Sequence, residues 1–131
     1  ALSKLNLELN DNYIGLGYYI SDSTRDNVQR MYELGVTAII CSHDIRAISA
    51  ITECMDKGIR IPEDMSIIGF DDLPMTAYTE PPLTTVRQDR TALGKAGYYA
   101  MSCLQNELPI CSILLRAPLV VRSSTGPART A

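Results

Sequence analysis

Residues 36–41 read Val-Thr-Ala-Ile-Ile-Cys, and residues 65–70 read Met-Ser-Ile-Ile-Gly-Phe. Short apolar runs with β-branched side chains are typical of strands that are buried on both faces of a parallel sheet. Between them, residues 44–58 carry apolar side chains at helical spacing and end on a glycine, which predicts a helix. A strand, a crossover helix and a second strand form a right-handed βαβ unit. The stretch 36–70 therefore predicts an α/β fold.

The same alternation continues on both sides of this unit. The further predicted strands are 13–19, 83–87, 113–116 and 119–122, and the further predicted helices are 23–35 and 91–106. The polar residues 123–131 predict a frayed, flexible tail. No repeat or long linker interrupts the pattern. We therefore predict a single α/β domain, a three-layer sandwich around a mostly parallel sheet.

Composition narrows the class of protein. The chain has 131 residues, of which 46% are hydrophobic and 21% are charged, so it can bury a core and is not expected to be disordered. Its formal net charge of −3 argues against nucleic-acid binding through its own surface, because phosphate binding needs a basic face. No apolar run approaches the roughly 20 residues that span a bilayer. Since the first residue is Ala1, we expect the chain to be part of a longer protein.

The cysteines do not form a recognisable metal site. No Cys-x-x-Cys pair is present, and His43 is the only histidine, so a zinc site is poorly supported. Reduced thiols used as small apolar side chains fit a cytoplasmic protein, and one disulfide pair is the alternative. The four cysteines are Cys41, Cys54, Cys103 and Cys111.

Polar side chains follow three of the predicted strands. In an open parallel sheet, ligands bind beyond the carboxyl ends of the strands. Carboxylates and an imidazole at that edge can hydrogen-bond a hydroxyl-rich or heteroaromatic small molecule. The candidates are Ser21 and Asp22 after the first strand, Ser42, His43 and Asp44 after the second, and Asp71 and Asp72 after the third.

Each candidate also has a purely structural interpretation. Asp44 stands where a helix N-cap belongs, and we expect it to cap that helix rather than to contact a ligand. Asp22 is a cap or a turn residue, and His43 is either a surface residue or a ligand-binding one. Asp72 is expected to be a turn or packing-edge residue. Asp71 directly follows an apolar strand and has no helix to cap, so it is the strongest site candidate.

The sequence lacks the usual motifs of enzymes. It contains no Gly-x-Gly-x-x-Gly, no Gly-Lys-Ser/Thr phosphate loop and no Gly-x-Ser-x-Gly elbow. Asp71 and Asp72 could hold magnesium, but a phosphoryl-transfer site also needs another acidic residue and a lysine, which the pattern does not place. We therefore expect no catalytic activity, no metal and no cofactor.

Several segments together resemble a known family. Residues 37–44, 58–72 and 81–88, followed by 92–96 and 122–125, are similar in order and spacing to the effector-binding domain of the lactose-repressor (LacI/GalR) family. The similarity covers nearly the whole chain, which makes it far more specific than any single motif.

The resemblance implies a type I periplasmic-binding-protein-like fold, in which a small molecule binds between two α/β subdomains. This chain would supply most of the C-terminal subdomain of a cytoplasmic regulator, a repressor. Residues 84–106 would form a crossover strand and a helix of the N-terminal subdomain. The DNA-binding headpiece would lie upstream, outside this chain. The alternative is an exported solute-binding protein of a transport system, which upstream sequence would distinguish.

The resemblance also implies roles for individual residues. Asp71 matches an acidic residue that binds sugar hydroxyls or nucleobase nitrogens, and His43 stands where the family often has asparagine. Gln88 matches a residue that lines the cleft, and Ser21 lies near a position that often stacks on the ligand. A homodimer is expected to form through the helix after Asp44, with operator DNA bound only through the headpiece and no membrane partner. The interface residues would be Ile45, Ile48 and Tyr78.

Outside its subdomain, the helix 91–106 would expose an apolar stripe. We expect that stripe to be covered by self-association or swapping, or by docking back on its own sheet.

Overall fold

The structure is a computed structural model that describes residues 4, 8, 10–16 and 22–129, with the side chains of residues 22 and 23 left out. Its helices are α1 (Asp22–Glu33), α2 (Asp44–Asp56) and α3 (Arg90–Gln105). Its strands are β1 (Ala38–Ile40), β2 (Ser66–Asp71), β3 (Thr84–Arg87) and β4 (Leu119–Val120). Two 3-10 turns lie at Asp11–Tyr13 and Pro74–Ala77.

The strands form one mostly parallel sheet in the order β1-β2-β3-β4. The first three strands are parallel, and β4 is antiparallel to β3. In this register Ile39 lies beside Ile67, Gly69 beside Thr85, and Asp71 beside Arg87. The carboxyl ends of β1, β2 and β3 therefore meet at one edge of the sheet, as the α/β prediction requires.

The core lies between this sheet and two helices. Helix α2 packs on β2, and α1 packs on α2. Met65 and Ile67 are completely buried there, and burial of each such side chain stabilises the fold by about 1.5–3 kcal/mol. The buried cluster comprises Val28, Cys41, Ala47, Ala50, Ile51, Cys54, Ile59, Met65, Ile67 and Leu83.

Glycine ends α2, as the sequence predicts. Gly58 has φ +70°, a left-handed conformation that is cheap only without a Cβ. Its N–H donates to the carbonyl of Met55, and the N–H of Ile59 donates to the carbonyl of Cys54. These bonds satisfy carbonyls of the last helical turn that have no partner inside the helix. The chain is thereby turned back toward β2.

Two predicted strands are absent from the described residues. At 13–19, Tyr13 belongs to a 3-10 turn, residues 14–16 have no regular structure, and the remainder lies outside the described residues. Residues 113–116 are exposed and pair with no described strand. Apolar composition alone suggested that strand, but a strand needs a neighbour for its backbone hydrogen bonds.

The prediction of a frayed tail over 123–131 is wrong for residues 123–126. Ser124 is completely buried, and its hydroxyl donates to the carbonyl of Ile67 at 2.6 Å. The same oxygen accepts from the N–H of Thr84 at 2.8 Å, and the Ser124 carbonyl accepts from the N–H of Ile67. Ser124 thus bridges β2 and β3 where the two strands begin. Its polarity, which suggested a tail, serves hydrogen bonds inside the fold.

Helix α3 makes no extensive contact with another described helix or strand. Its predicted stripe is uncovered: Leu93, Met101 and Leu104 are each more than half exposed, whereas Cys103 is buried. Of the three expected ways to cover the stripe, docking back on its own sheet is therefore wrong, while self-association and swapping stay predictions. The predicted crossover strand is present as β3, inside this sheet between β2 and β4. The described contacts give two layers, the sheet and the α1–α2 pair, and α3 adds no third layer to them.

Candidate ligand-binding site at the carboxyl edge of the sheet

Asp71 and Gln88 lie together where β2 and β3 end. The Nε2 of Gln88 donates to Oδ1 of Asp71 at 2.6 Å, and both side chains are half-buried. The register explains this contact, because Asp71 pairs with Arg87 and Gln88 is the next residue. Two of the predicted ligand-binding residues are therefore neighbours. The pair presents carboxylate and amide oxygens at the edge where parallel sheets bind ligands.

The backbone at Asp71 and Asp72 is strained. Their φ angles are +118° and +53°, in the left-handed half of the map that favours glycine. Each such residue costs about 1–3 kcal/mol and persists only where its surroundings hold it. Strain of this kind is common at ligand sites. The turn must therefore be fixed by contacts on both sides.

Asp72 is the centre of an ion-pair cluster beside this site. Its carboxylate accepts from Nε of Arg87 at 2.5 Å and from Nη2 of Arg122 at 2.7 Å. Burial by itself would raise the pKa of Asp72, but the hydrogen bonds from Arg122 and Arg87 outweigh burial and hold that pKa below its ordinary value. Asp72 was expected to be a turn or packing-edge residue. It also ties that turn to β3 and to the end of β4.

Arg122 is a residue that the sequence pattern did not single out. Its side chain is only 19% exposed, and its Nη1 donates to the carbonyl of Leu83 at 2.6 Å and to the hydroxyl of Thr76 at 3.0 Å. Together with the bond to Asp72, these contacts connect three segments to one guanidinium: the 3-10 turn Pro74–Ala77, the start of β3 and the turn at Asp71 and Asp72. In the sequence, Arg122 was only the arginine that ends an apolar strand and begins the segment 122–125 of the family resemblance.

Asp44 does not cap α2, so that prediction is wrong. His43 occupies the N-cap position, and Asp44 is the first helical residue. The Asp44 carboxylate is completely buried, accepting from the N–H of Leu73 at 2.7 Å and from Oγ1 of Thr85 at 2.5 Å. The prediction misplaced the helix start by one residue. One step along a helix rotates a side chain by about 100°, which here turns it from the helix end to the sheet.

Of the two remaining candidates, His43 lies within the described residues. His43 is half-buried in an extended backbone after β1, and its Nδ1 lies 3.4 Å from Oγ of Ser42. Because β1 and β2 are neighbours, His43 reaches the same sheet edge as Asp71. Ser21 lies outside the described residues.

The three predicted interface residues lie on α2 and after the 3-10 turn. Ile45 and Ile48 are half-buried, and Ile48 packs partly against the core. Tyr78 is 88% exposed, and nearby Met75 is 51% exposed. Tyr78 is therefore the most accessible of the three for contact with another chain.

A cavity of about 630 Å³ lies elsewhere, between α1 and β1. Its lining includes Ile14, Val28, Ile40 and Arg46, but neither Asp71 nor Gln88. Of the candidate residues, its lining contains Ser42, so the cavity adjoins the end of β1 but does not include the Asp71–Gln88 pair.

The described residues contain no group of three His, Cys, Asp or Glu side chains placed to hold a metal. They also contain no helix that is both long and apolar enough to cross a membrane.

Comparison with known proteins places the chain in a family. A family model described as a periplasmic binding protein-like domain matches residues 5–125. The HTH-type transcriptional repressor PurR of Aliivibrio salmonicida (strain LFI1238) is 40% identical over 97 residues, which cover 72% of this chain and 29% of that protein. The HTH-type transcriptional repressor CytR of Escherichia coli (strain K12) is 31% identical over 132 residues, which cover 95% of this chain and 38% of that protein.

Solved structures agree with these relatives. The transcription regulator CcpA of Lactococcus lactis superposes with a TM-score of 0.81 at 30% identity, covering 95% of this chain and 47% of that one. A dimeric Lac repressor with an 11-residue C-terminal deletion superposes with a TM-score of 0.70 at 29% identity, covering 83% of this chain and 41% of that one. The chain thus spans less than half the length of each of these proteins. It belongs to the periplasmic binding protein-like domain family, and within that family to the effector-binding domains of LacI-family transcriptional regulators.

Proposed function

We propose that this domain binds a small effector, of sugar or nucleobase type, beside Asp71 and so controls the DNA affinity of a homodimeric cytoplasmic repressor. The observation that carries the effector site is the Asp71–Gln88 pair on a strained turn at the carboxyl edge of the sheet. A fixed carboxylate orients hydroxyl or ring N–H donors, and the amide of Gln88 offers both a donor and an acceptor. His43, at the end of the neighbouring strand, is the third proposed contact, and Ser21 is the fourth.

The relatives support a regulator over a transport protein. PurR and CytR are both named as HTH-type transcriptional repressors, and a solved Lac repressor, 29% identical to this chain, is described as bound to ONPG. For this protein we propose that operator DNA is bound by a headpiece outside residues 1–131. A transport role remains the second candidate, and the sequence upstream of residue 1 decides between them: a helix-turn-helix supports the repressor, and a signal peptide supports transport.

The exposed face of α3 supports the proposed division into subdomains. Its apolar side chains have no described partner, as expected of a helix that packs into a second subdomain supplied by upstream sequence. We accordingly assign the helix, but not β3, to that second subdomain.

The test of the effector site begins with a thermal-shift screen of full-length protein against ONPG, cellobiose, adenosine and cytidine, since a bound ligand raises the melting temperature. The compound with the largest shift is then titrated calorimetrically into wild type and Asp71→Asn. Charged hydrogen bonds contribute about 1.5–3 kcal/mol, so we expect affinity to fall about 10- to 150-fold.

Asp64→Asn is the matched control. Its carboxylate accepts from the backbone N–H and the guanidinium of Arg60, in a turn before β2 that is remote from the site. We expect this variant to keep wild-type effector affinity, and both variants to bind DNA normally without effector. Unchanged affinity in Asp71→Asn, with affinity intact in the control, would make Asp71 structural and remove the proposed site.

The proposed homodimer has its own test. We expect Tyr78→Asp to dissociate full-length protein at micromolar concentration, because it places a charge on a fully exposed aromatic at the proposed interface. Glu63→Lys, a charge change on another exposed residue, is the control. Sedimentation velocity measures the outcome, and a Tyr78→Asp protein that stays dimeric would exclude this part of the surface.

A further inference from the structure

The buried carboxylate of Asp44 packs against the sheet where Gly69 of β2 pairs with Thr85 of β3. A Cβ built on Gly69 would stand 2.2 Å from Oδ1 of Asp44 and 3.3 Å from its Cα, so the Asp44 side chain rests directly on that glycine. Thr85, the strand partner of Gly69, donates to the same Oδ1. The carboxylate is therefore locked over the Gly69–Thr85 pair. The other oxygen, Oδ2, is left to accept from Leu73.

Leu73 is the residue that leaves the strained turn. Asp71 and Asp72 both have positive φ, and conformations of this kind persist only where both ends are held. One end of the turn is held by pairing of β2 with β3, and the other by the Leu73 N–H on Asp44. Asp71 thus lies between two fixed points, the β2–β3 pairing and the Leu73–Asp44 bond. Asp44 connects them, because its carboxylate also accepts from Thr85 of β3. His43, the residue before Asp44, is placed by the same contact.

We propose that Asp44 is a positioning residue for the effector site: its bond to Leu73 fixes the turn so that the Asp71 carboxylate stays beside Gln88. The proposal rests on the proposed function. It adds that affinity depends on a residue that is buried beneath the site and that does not contact the effector.

Three variants of full-length protein separate positioning from general stability. Asp44→Ala removes both hydrogen bonds. Asp44→Asn can keep both, since its carbonyl accepts from Leu73 while its NH2 donates to the hydroxyl of Thr85. Thr85→Val has nearly the same shape as threonine and removes only the Thr85 bond, which leaves Leu73 anchored to Asp44. If Asp44 only stabilised the fold, Thr85→Val would change the exchange of Leu73 and the effector affinity as much as Asp44→Ala does.

The first readout needs no effector. Hydrogen–deuterium exchange is followed by mass spectrometry in peptides covering 72–77, with peptides from β2 as the reference for global opening. We expect exchange at Leu73 to rise about tenfold or more in Asp44→Ala, beyond any change in β2, because a charge-assisted bond is lost. In Asp44→Asn and Thr85→Val we expect exchange at Leu73 to change by no more than the β2 reference.

The second readout is the affinity for ONPG, cellobiose, adenosine or cytidine, whichever binds wild type. We expect Asp44→Ala to lose about tenfold or more, Asp44→Asn to restore affinity to within about threefold of wild type, and Thr85→Val to stay near wild type. Equal protection of Leu73 in Asp44→Ala and wild type would overturn the proposal, as would equal affinity losses in Thr85→Val and Asp44→Ala. If none of the four compounds binds wild type, the proposed function fails separately, and the exchange experiment still decides the role of Asp44.

Discussion

Removal of the Arg122 guanidinium should destabilise the domain far more than removal of the Arg87 guanidinium, although both bind Asp72. We compare Arg122→Met with Arg87→Met, since methionine keeps most of the apolar stem in each case. The Arg122 side chain is 19% exposed and bonds Asp72, Leu83 and Thr76, whereas the Arg87 side chain is 54% exposed and its guanidinium makes one described bond, to Asp72.

The expected magnitudes follow from these contacts. Breaking a buried ion pair from one side costs about 3–5 kcal/mol, and we reduce this to about 2–4 kcal/mol because Arg122 retains some solvent screening. For Arg87 we expect about 1 kcal/mol or less, as for other exposed ion pairs. Urea unfolding of both variants, followed by circular dichroism, measures the difference. Equal losses in the two variants, or a loss below about 1 kcal/mol for Arg122→Met, would refute this account of the cluster.

The stability of the domain should also depend on pH through the charge of Asp72. The pKa of Asp72 is lower in the folded protein than its ordinary value of about 3.9, so the ion pairs contribute fully above that pH. Their contribution is lost as the pH falls through the still lower pKa of the folded state. We therefore expect the stability gap between wild type and Arg122→Met to narrow as the pH falls below about 4. A gap that stays constant down to pH 2 would remove the charge of Asp72 from the explanation.

Two further predictions concern the interior. We expect Gly69→Ala to lower the free energy of unfolding in urea by about 3 kcal/mol, because the new Cβ displaces the Asp44 carboxylate. In the double variant with Asp44→Ala, the two losses should sum to less than their separate values, and full additivity would contradict this explanation. Burial raises the pKa of Cys41 to about 11 and of Cys54 to about 12, so at pH 8 their thiolate fraction should be far below that of a free cysteine. Iodoacetamide should label both slowly until guanidinium unfolds the protein, and stability should fall as the pH rises above about 8.5; rapid labelling of the folded protein would exclude such burial.

Local patterns sufficed for the centre of the fold. The runs at 36–41 and 65–70 became β1 and β2, because a buried parallel strand needs only a short apolar stretch. The helix between them was predicted to end at Gly58, where a left-handed residue is required. Asp71 could also be anticipated, since it directly follows the predicted apolar run 65–70, whereas Gln88 was expected only from the resemblance to the LacI/GalR family.

What the sequence did not predict depends on contacts between distant residues. Asp44 meets Thr85 across 41 positions, and Arg122 meets Asp72 across 50. No periodicity connects such pairs, so Asp44 was assigned to its nearest helix amides and Arg122 was given no role. The positive φ angles of Asp71 and Asp72 were likewise missed, because an aspartate in a sequence, unlike a glycine, does not by itself predict that conformation.

The bridge made by Ser124 has a consequence for the order in which the domain can assemble during synthesis. Its hydroxyl links backbone groups that lie 57 and 40 positions earlier in the chain, at Ile67 and Thr84. During translation, β2 and β3 leave the ribosome well before Ser124, the residue that joins the starts of the two strands. Until Ser124 is available, the carbonyl of Ile67 and the N–H of Thr84 are hydrated. We expect chains truncated before Ser124 to be held by chaperones or degraded, and chains extended beyond Gly126 to fold. The segment 123–126, which is translated after β2 and β3, therefore completes the hydrogen bonding where those two strands begin.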